Sequence, residues 1–171
     1  MQGSTKMLAL AAVLWSGAAF TVEEGDRAPA WQAQTFDGAT ASFPALIENR
    51  PTVVVFWATW CGYCKAFMPY LQEIHADYGA ERINIVAINA KEEQGADPQA
   101  YVESLGFPAI AVRDGDAIAG AYGVEFIPGL MVIDRDGLVA YRRPWTDLPA
   151  GETVARFWSR QVRRALDDLL Q

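Results

Sequence analysis

The chain has 171 residues, of which 51% are hydrophobic and 20% charged, and its formal net charge is −7. This balance is typical of a globular domain with its own core and argues against a disordered chain. The acidic charge and the absence of a long basic run argue against nucleic-acid binding. Two cysteines and one histidine are too few for a four-ligand structural zinc site or a disulfide-rich scaffold.

The first 20 residues have the pattern of an export segment. Lys6 precedes an apolar run from Met7 to Trp15, and small residues follow. A positive start, a short apolar stretch and small residues are typical of a secretory signal peptide, here with cleavage after Ala18. The run is shorter than the roughly 20 residues that span a bilayer. We therefore predict a signal peptide or membrane anchor at 1–20, a linker at 21–30 and one domain at 31–171, with a buried N-terminal helix as the alternative.

Strands and helices alternate along the predicted domain. A turn at 36–38 separates two short strand-like pieces. The apolar runs 52–57 and 83–88 predict strands buried on both faces. Helical spacing predicts a helix over 61–78, kinked at Pro69 and ended by Gly79. The remaining predicted elements are a helix from Pro98 to Leu105 capped by Asp97, a strand at 109–112, a helix at 117–122, hairpin strands at 130–133 and 138–141, and an amphipathic helix at 152–170.

This order of elements predicts a single α/β domain. A strand, a helix and a second strand imply a parallel pair joined by a right-handed crossover, and the hairpin adds antiparallel strands. We therefore expect a mixed central β-sheet flanked by α-helices on both faces.

Cys61 and Cys64 lie where a buried strand gives way to a helix. The N–H groups at a helix N-terminus stabilise an anion and lower the pKa of a cysteine there. Cys61 is therefore the expected nucleophile, and Cys64, one turn further on and more buried, would resolve the mixed disulfide. Gly62 and Tyr63 would help to set the reduction potential. The alternatives are two inert structural thiols or half of an intermolecular metal site.

Two stretches, TVVVFWATWCGYC at 52–64 and YGVEFIP at 122–128, together resemble the thioredoxin superfamily. With DRDG at 134–137, the chain is most similar to the TlpA/ResA branch of exported thiol–disulfide oxidoreductases, which includes cytochrome c maturation reductases. The resemblance covers roughly residues 26–170 and implies a thioredoxin fold. It also implies that Pro128 is cis and faces the cysteines, although a proline at a strand start is ordinarily trans.

The resemblance further implies how a partner would bind. The backbone of Ile127 would pair with a bound peptide by strand addition. Trp60 would shield the cysteines and offer a partner surface. Glu92, at the end of the stretch VAINAKE, would lie near the buried cysteine and govern its protonation. The alternative for Glu92 is a solvated loop charge like Lys91 and Glu93.

Some residues depart from the family pattern, and others have no expected catalytic role. Cytoplasmic thioredoxins carry a buried Asp where this chain has Val55, and Gly129 follows the proline where Thr is commoner, which would widen the partner groove. Gly-Tyr stands between the cysteines in place of the Gly-Pro of thioredoxin. We expect His75 to be a surface helix residue. We expect the segment 142–145 to be a solvated strand end, with contact to a partner as the alternative.

These residues predict an enzyme that exchanges a dithiol for a disulfide with protein substrates. We expect it to act as a reductant in the periplasm or another exported location, as a monomer, with a membrane electron donor and without cofactor or metal. A dithiol oxidase would use the same residues and differ in reduction potential. A thiol peroxidase would need a Pro-x-x-x-Thr-x-x-Cys pattern, which the sequence around Thr59 lacks. A Cu(I)-binding module is the non-enzymatic alternative.

Overall fold

The computed structural model describes residues 21–144 and 152–171. The predicted export segment at 1–20 lies outside the described residues, as does Trp145. Residues 21–30, for which we predict a linker, run along the last hairpin strand. Three backbone hydrogen bonds hold them there: Gly25 N–H to the Val139 carbonyl (2.8 Å), Val139 N–H to the Asp26 carbonyl (2.9 Å) and Ala28 N–H to the Gly137 carbonyl (2.9 Å).

Five strands form a mixed central sheet, and two more form a separate hairpin. The hairpin strands are β1 (Trp31–Gln34) and β2 (Thr40–Phe43). The sheet strands are β3 (Thr52–Trp57), β4 (Asn84–Asn89), β5 (Ile110–Val112), β6 (Gly129–Ile133) and β7 (Val139–Arg142), in the order β5-β4-β3-β6-β7. Strands β3, β4 and β5 are parallel, whereas β6 and β7 pair in antiparallel fashion. The predicted mixed sheet is confirmed.

In the described residues, four α-helices connect or close the strands. They are α1 (Gly62–Tyr78), α2 (Pro98–Glu103), α3 (Asp116–Ala121) and α4 (Val154–Leu169), with a short 3-10 helix at Ala45–Ile47. Helix α1 ends at Gly79, whose positive φ of 80° suits a residue without a side chain. The Asp97 carboxylate accepts the Ala100 N–H at 3.0 Å, so the predicted cap is present. Helix α2 ends two residues earlier than the sequence predicts.

The sheet separates two hydrophobic clusters because alternate residues of a strand face opposite sides. On one side, Val53, Val55 and Trp57 of β3 pack with both cysteines and with α1 and α4. On the other side, Val54 and Phe56 pack with the β1–β2 hairpin and α3. Helices therefore lie on both faces, and the active cysteines belong to the cluster that α1 and α4 cover.

Some backbone groups on the outward sides of β5 and β7 bond to other segments of the chain. Residues 25–28 bond to β7, as described above. On the opposite side, Phe36 N–H donates to the Ala111 carbonyl (2.9 Å) and Arg113 N–H donates to the Gln34 carbonyl (3.0 Å), so the hairpin arm reaches β5. Within the described part of the chain, no helix has the length and apolar character needed to cross a membrane.

Candidate active site

Cys61 is the N-cap residue of α1, immediately after the loop that leaves β3. Its backbone is extended (φ −76°, ψ 100°), and its Sγ accepts the Cys64 N–H at 3.1 Å. A side-chain atom in this position meets the otherwise unpaired N–H groups of the first turn. A negative charge on the Cys61 sulfur would therefore be stabilised where it forms.

A disulfide joins Cys61 to Cys64, whose Cα atoms are 5.2 Å apart. Both residues are buried, with 4% of Cys61 and 1% of Cys64 exposed, so the difference in burial is in the predicted direction but small. The side chains around them are much more open. Trp60 is 49% exposed and Tyr63 is 65% exposed, while a Cβ on Gly62 would meet no atom within 4 Å. A partner can therefore approach the disulfide from the side on which Trp60, Gly62 and Tyr63 lie.

The Ile127–Pro128 peptide bond is cis, as the resemblance implies. Pro128 is buried, and Ile127 is partly buried against the cluster that contains both cysteines. A second cis bond, Phe43–Pro44, lies after β2 and was not expected. Ile127 also packs against the cluster on the hairpin side, so it lies where the two clusters meet, next to the cis proline.

Gly129 does not act as the sequence suggests. A Cβ at this position would lie 2.7 Å from a methyl carbon of Val124 and 3.1 Å from a ring carbon of Phe56. Val124 and Phe56 belong to the core on the side of the sheet away from the cysteines. The missing side chain therefore makes room for core packing and does not widen a groove beside Cys61, so that expectation is wrong.

Glu92 lies on the loop after β4 and bonds to the segment that precedes Cys61. Its carboxylate accepts the Thr59 N–H (2.9 Å), the Thr59 hydroxyl (2.7 Å), the Asn89 side-chain amide (2.7 Å) and the Glu93 N–H (3.2 Å). The Trp60 indole N–H donates to the Lys91 carbonyl at 2.8 Å, which adds a second bond between the same loops. Glu92 is half-buried, whereas Lys91 and Glu93 are exposed.

Sequence reasoning missed Thr59 and Asn89, the two side chains that bond Glu92. Asn89 closes the buried strand β4 and is itself buried. A buried polar side chain at the end of an apolar strand needs a hydrogen-bond partner, so the position of Asn89 in the sequence could have indicated a polar contact at this end of β4. The partners could not be named from the sequence because they depend on the path of the loop, where Lys91 adopts a φ of 58°.

We expect Glu92 to make stability dependent on pH. Burial raises the pKa of its carboxyl, but hydrogen bonds from Asn89 and Thr59 outweigh burial and hold the pKa below its ordinary value of 4.5. A carboxyl with a lowered pKa stabilises the fold above its unfolded pKa, and this contribution is lost as the pH falls through the folded pKa. Thermal melts between pH 7 and pH 3 should therefore decline less steeply for Glu92→Gln than for the parent chain.

The matched control for that experiment is Glu93→Gln, which removes one negative charge from the adjacent, exposed position. The interpretation of Glu92 fails if the two variants show the same dependence of melting temperature on pH. A steeper decline for Glu92→Gln than for the parent chain would contradict the sign of the pKa shift.

Three further residues on or near the cysteine side of the sheet are placed as follows. Trp57 is fully buried, with its ring 5.0 Å from that of Tyr101. His75 is half-buried, with its ring 6.1 Å from that of Phe107. Val55 is fully buried in the sheet. Among the residues that the structure describes, no group of three or more His, Cys, Asp or Glu side chains could hold a metal ion.

Arg142 and Arg143 correct the expectation of a solvated strand end. Both side chains are half-buried, and both donate hydrogen bonds to backbone carbonyls: Arg142 to Tyr122 and Gly123, and Arg143 to Pro128. The expectation failed because arginine is usually exposed, and because its long side chain can place the guanidinium far from its own backbone, at a position that the sequence does not indicate.

A thioredoxin-like fold with a cysteine pair at the start of α1 defines the class of thiol–disulfide oxidoreductases. The chain matches the family model described as AhpC/TSA family over residues 24–142. It is 30% identical over 142 residues to the thiol:disulfide interchange protein DsbE of Yersinia pestis, covering 81% of this chain and 70% of that protein. It is 32% identical over 117 residues to the thiol-disulfide oxidoreductase ResA of Bacillus anthracis, covering 67% of this chain and 66% of that protein.

Solved structures have the same fold. A thiol:disulfide interchange protein of the thioredoxin family from Chlorobium tepidum matches with a TM-score of 0.63 and 23% identity, over 84% of this chain and 98% of its own. A secreted disulfide oxidoreductase of Mycobacterium tuberculosis matches with a TM-score of 0.60 and 24% identity, over 78% and 95%. The chain belongs to the AhpC/TSA family, and it is a thiol–disulfide oxidoreductase of the DsbE and ResA type with Cys61 and Cys64 as its pair.

Proposed function

We propose that this chain reduces disulfides in exported proteins, in the manner of a cytochrome c maturation reductase. The observation that carries the proposal is the position of Cys61 Sγ at the N-cap of α1, where it accepts the Cys64 N–H. The names of the relatives, a thiol:disulfide interchange protein and thiol-disulfide oxidoreductases, support the same chemistry. The predicted export segment at 1–20 supports a periplasmic or other exported location.

The reaction would proceed in two exchanges. The Cys61 thiolate attacks one sulfur of a substrate disulfide, forming a mixed disulfide and releasing the other substrate sulfur as a thiolate. The Cys64 thiolate then attacks Cys61 Sγ, which forms the Cys61–Cys64 disulfide and releases the second substrate sulfur. Two electrons pass from the chain to the substrate. A donor dithiol must return them, and we propose a membrane protein for that role.

Exposed aromatic side chains support a protein as the substrate. In the described residues, the large hydrophobic side chains that are exposed are Trp60, Tyr63 and Phe126. Trp60 and Tyr63 flank Cys61, and Phe126 lies two residues before Pro128. Aromatic side chains are favoured in protein interfaces because they bury much apolar area. A peptide that lies across them would reach the Ile127 backbone, where strand addition is proposed.

The reduction potential of the Cys61–Cys64 pair tests the direction of the reaction. We expect a value nearer to about −270 mV, the range of a thioredoxin-type reductant, than to about −120 mV, the range of a strong oxidant. Equilibration against glutathione or dithiothreitol buffers, followed by quantification of free thiols, gives this value. A potential near the upper figure would replace the proposed reductase by the dithiol oxidase alternative.

A further inference from the structure

The segment between α3 and β6 is held at both ends by two neighbouring arginines, Arg142 at the end of β7 and Arg143 immediately after it. Arg142 donates from Nη1 to the Tyr122 carbonyl (3.0 Å) and from Nη2 to the Gly123 carbonyl (2.8 Å). Arg143 donates from Nε to the Pro128 carbonyl (2.8 Å). The residues between these anchors include Phe126 and Ile127, which are proposed to meet the substrate. We call residues 122–128 the proline segment.

The guanidinium groups of Arg142 and Arg143 contact clusters on opposite sides of the sheet. The Arg142 guanidinium also lies 3.9 Å from the sulfur of Met131, a residue of the cluster on the hairpin side. The Arg143 guanidinium lies 4.8 Å from the ring centre of Trp158, in the cluster that contains the cysteines. Arg142 thus connects the start of the proline segment to the cluster on the hairpin side, and Arg143 connects its end to the cluster that contains the cysteines.

Neither guanidinium forms an ion pair within residues 21–144 and 152–171, where the four ion pairs involve Arg50, Arg113, Arg160 and Arg163. Both guanidinium groups instead donate hydrogen bonds to backbone carbonyls of the proline segment. Burial lowers the pKa of Arg143 below its ordinary value, yet an arginine remains charged at neutral pH. A charged donor makes a stronger hydrogen bond to a carbonyl than a neutral one does.

Trp158 connects Arg143 to the cysteine helix. Its ring lies edge-on to Tyr63, between the cysteines, at 6.3 Å and to Phe67, one turn after Cys64, at 6.1 Å. Arg143 therefore contacts both the carbonyl of Pro128 and a ring that packs on the start of α1. This arrangement fixes the proline segment relative to Cys61.

We propose that Arg143 is a positioning residue for polypeptide substrates, holding the Ile127 backbone at a fixed place relative to Cys61, with Arg142 anchoring the other end of the proline segment. The inference rests on the proposed function. A peptide that adds as a strand needs a fixed backbone partner, because ordering that partner during binding would cost affinity. A small disulfide needs only access to Cys61 and does not depend on the segment.

The test compares a protein disulfide with a small one. Parent chain, Arg143→Gln and Arg142→Gln are assayed for kcat and KM with insulin as the protein substrate and dithiothreitol as the electron donor. The same proteins, reduced beforehand and freed of dithiothreitol, are assayed for the second-order rate with oxidised glutathione. Since a hydrogen bond from a charged group is worth enough to change an equilibrium constant about tenfold, we expect Arg143→Gln to lower kcat/KM for insulin about tenfold, mainly through KM. The rate with glutathione should change less than about twofold, and Arg142→Gln should act in the same sense.

Arg164→Gln is the matched control, because it removes the same charge from an exposed position on α4. Arg143→Lys keeps the charge and one donor, and we expect it to recover part of the insulin activity. The glutathione rate measured on each variant reports whether the active site is still folded.

Two results would overturn the inference. Equal losses with insulin and glutathione would mean that Arg143 acts on the cysteine chemistry or on folding as a whole. An unchanged kcat/KM for insulin would mean that the proline segment holds its place without Arg143. A parent chain that reduces glutathione but not insulin would instead remove the protein substrate from the proposed function, and the inference with it.

Discussion

Replacing Cys64 with serine is expected to convert the chain into a trap for its partners. Without the second thiolate, the mixed disulfide at Cys61 has no internal nucleophile to resolve it, so the covalent complex accumulates. The site allows this substitution because Cys64 is buried in the first turn of α1 and serine is of similar size. Exported proteins incubated with Cys64→Ser should appear as adducts on non-reducing gels and disappear after addition of a reductant.

The matching substitution, Cys61→Ser, should abolish both trapping and turnover. Removing a covalent nucleophile costs roughly a thousandfold or more in rate, because a serine hydroxyl is not ionised at neutral pH. Adducts formed by Cys61→Ser through the remaining Cys64 would contradict the assignment of roles. The assignment would also fail if Cys64→Ser formed no adduct with any exported protein while the parent chain turned over.

Replacing Phe67 with alanine is expected to destabilise the fold by about 3–5 kcal/mol, the usual cost of truncating a fully buried phenylalanine. Phe67 is fully buried one turn after Cys64, and its ring contacts Trp158 of α4 edge-on at 6.1 Å. The substitution would leave a cavity between the two helices that cover the cysteine side of the sheet. Urea denaturation of the oxidised protein, followed by tryptophan fluorescence, measures the change in the free energy of unfolding.

Glu73→Ala is the control for this measurement, since Glu73 is exposed on the same helix. A change within about 0.5 kcal/mol is usual for a surface position of this kind. A loss below about 1 kcal/mol for Phe67→Ala would mean that α1 and α4 close the cavity by moving together. The contact between the two helices would then be less rigid than its burial indicates.

The parts of the fold that follow from local patterns were predictable. Buried apolar runs gave β3 and β4 to within one residue, and the glycine turn gave the β6–β7 hairpin, where Gly137 has a φ of 83°. The placement of Cys61 at a helix start also followed from the sequence, because the strand, the loop and the helix are adjacent along the chain. For these elements, the signal is contained in neighbouring residues.

The rest of the site depends on contacts between residues far apart in sequence. Glu92 and Thr59 are 33 positions apart, and Arg143 and Pro128 are 15 apart. The direction of the missing Gly129 side chain could not be deduced either, because it depends on where Val124 lies. Composition and periodicity describe which residues are buried, but they do not say which polar atom will meet which carbonyl.

The covered margins of the sheet have a consequence for how the protein behaves at high concentration. Residues 25–28 bond to the outward side of β7, and residues 34–36, at the end of β1, bond beside β5. An edge strand with unpaired backbone groups can hydrogen-bond to a strand of another molecule, which promotes aggregation. Here such pairing would first have to displace a bonded segment. The protein therefore exposes aromatic side chains near Cys61, while the bonded segments beside β5 and β7 disfavour the pairing of strands from different molecules.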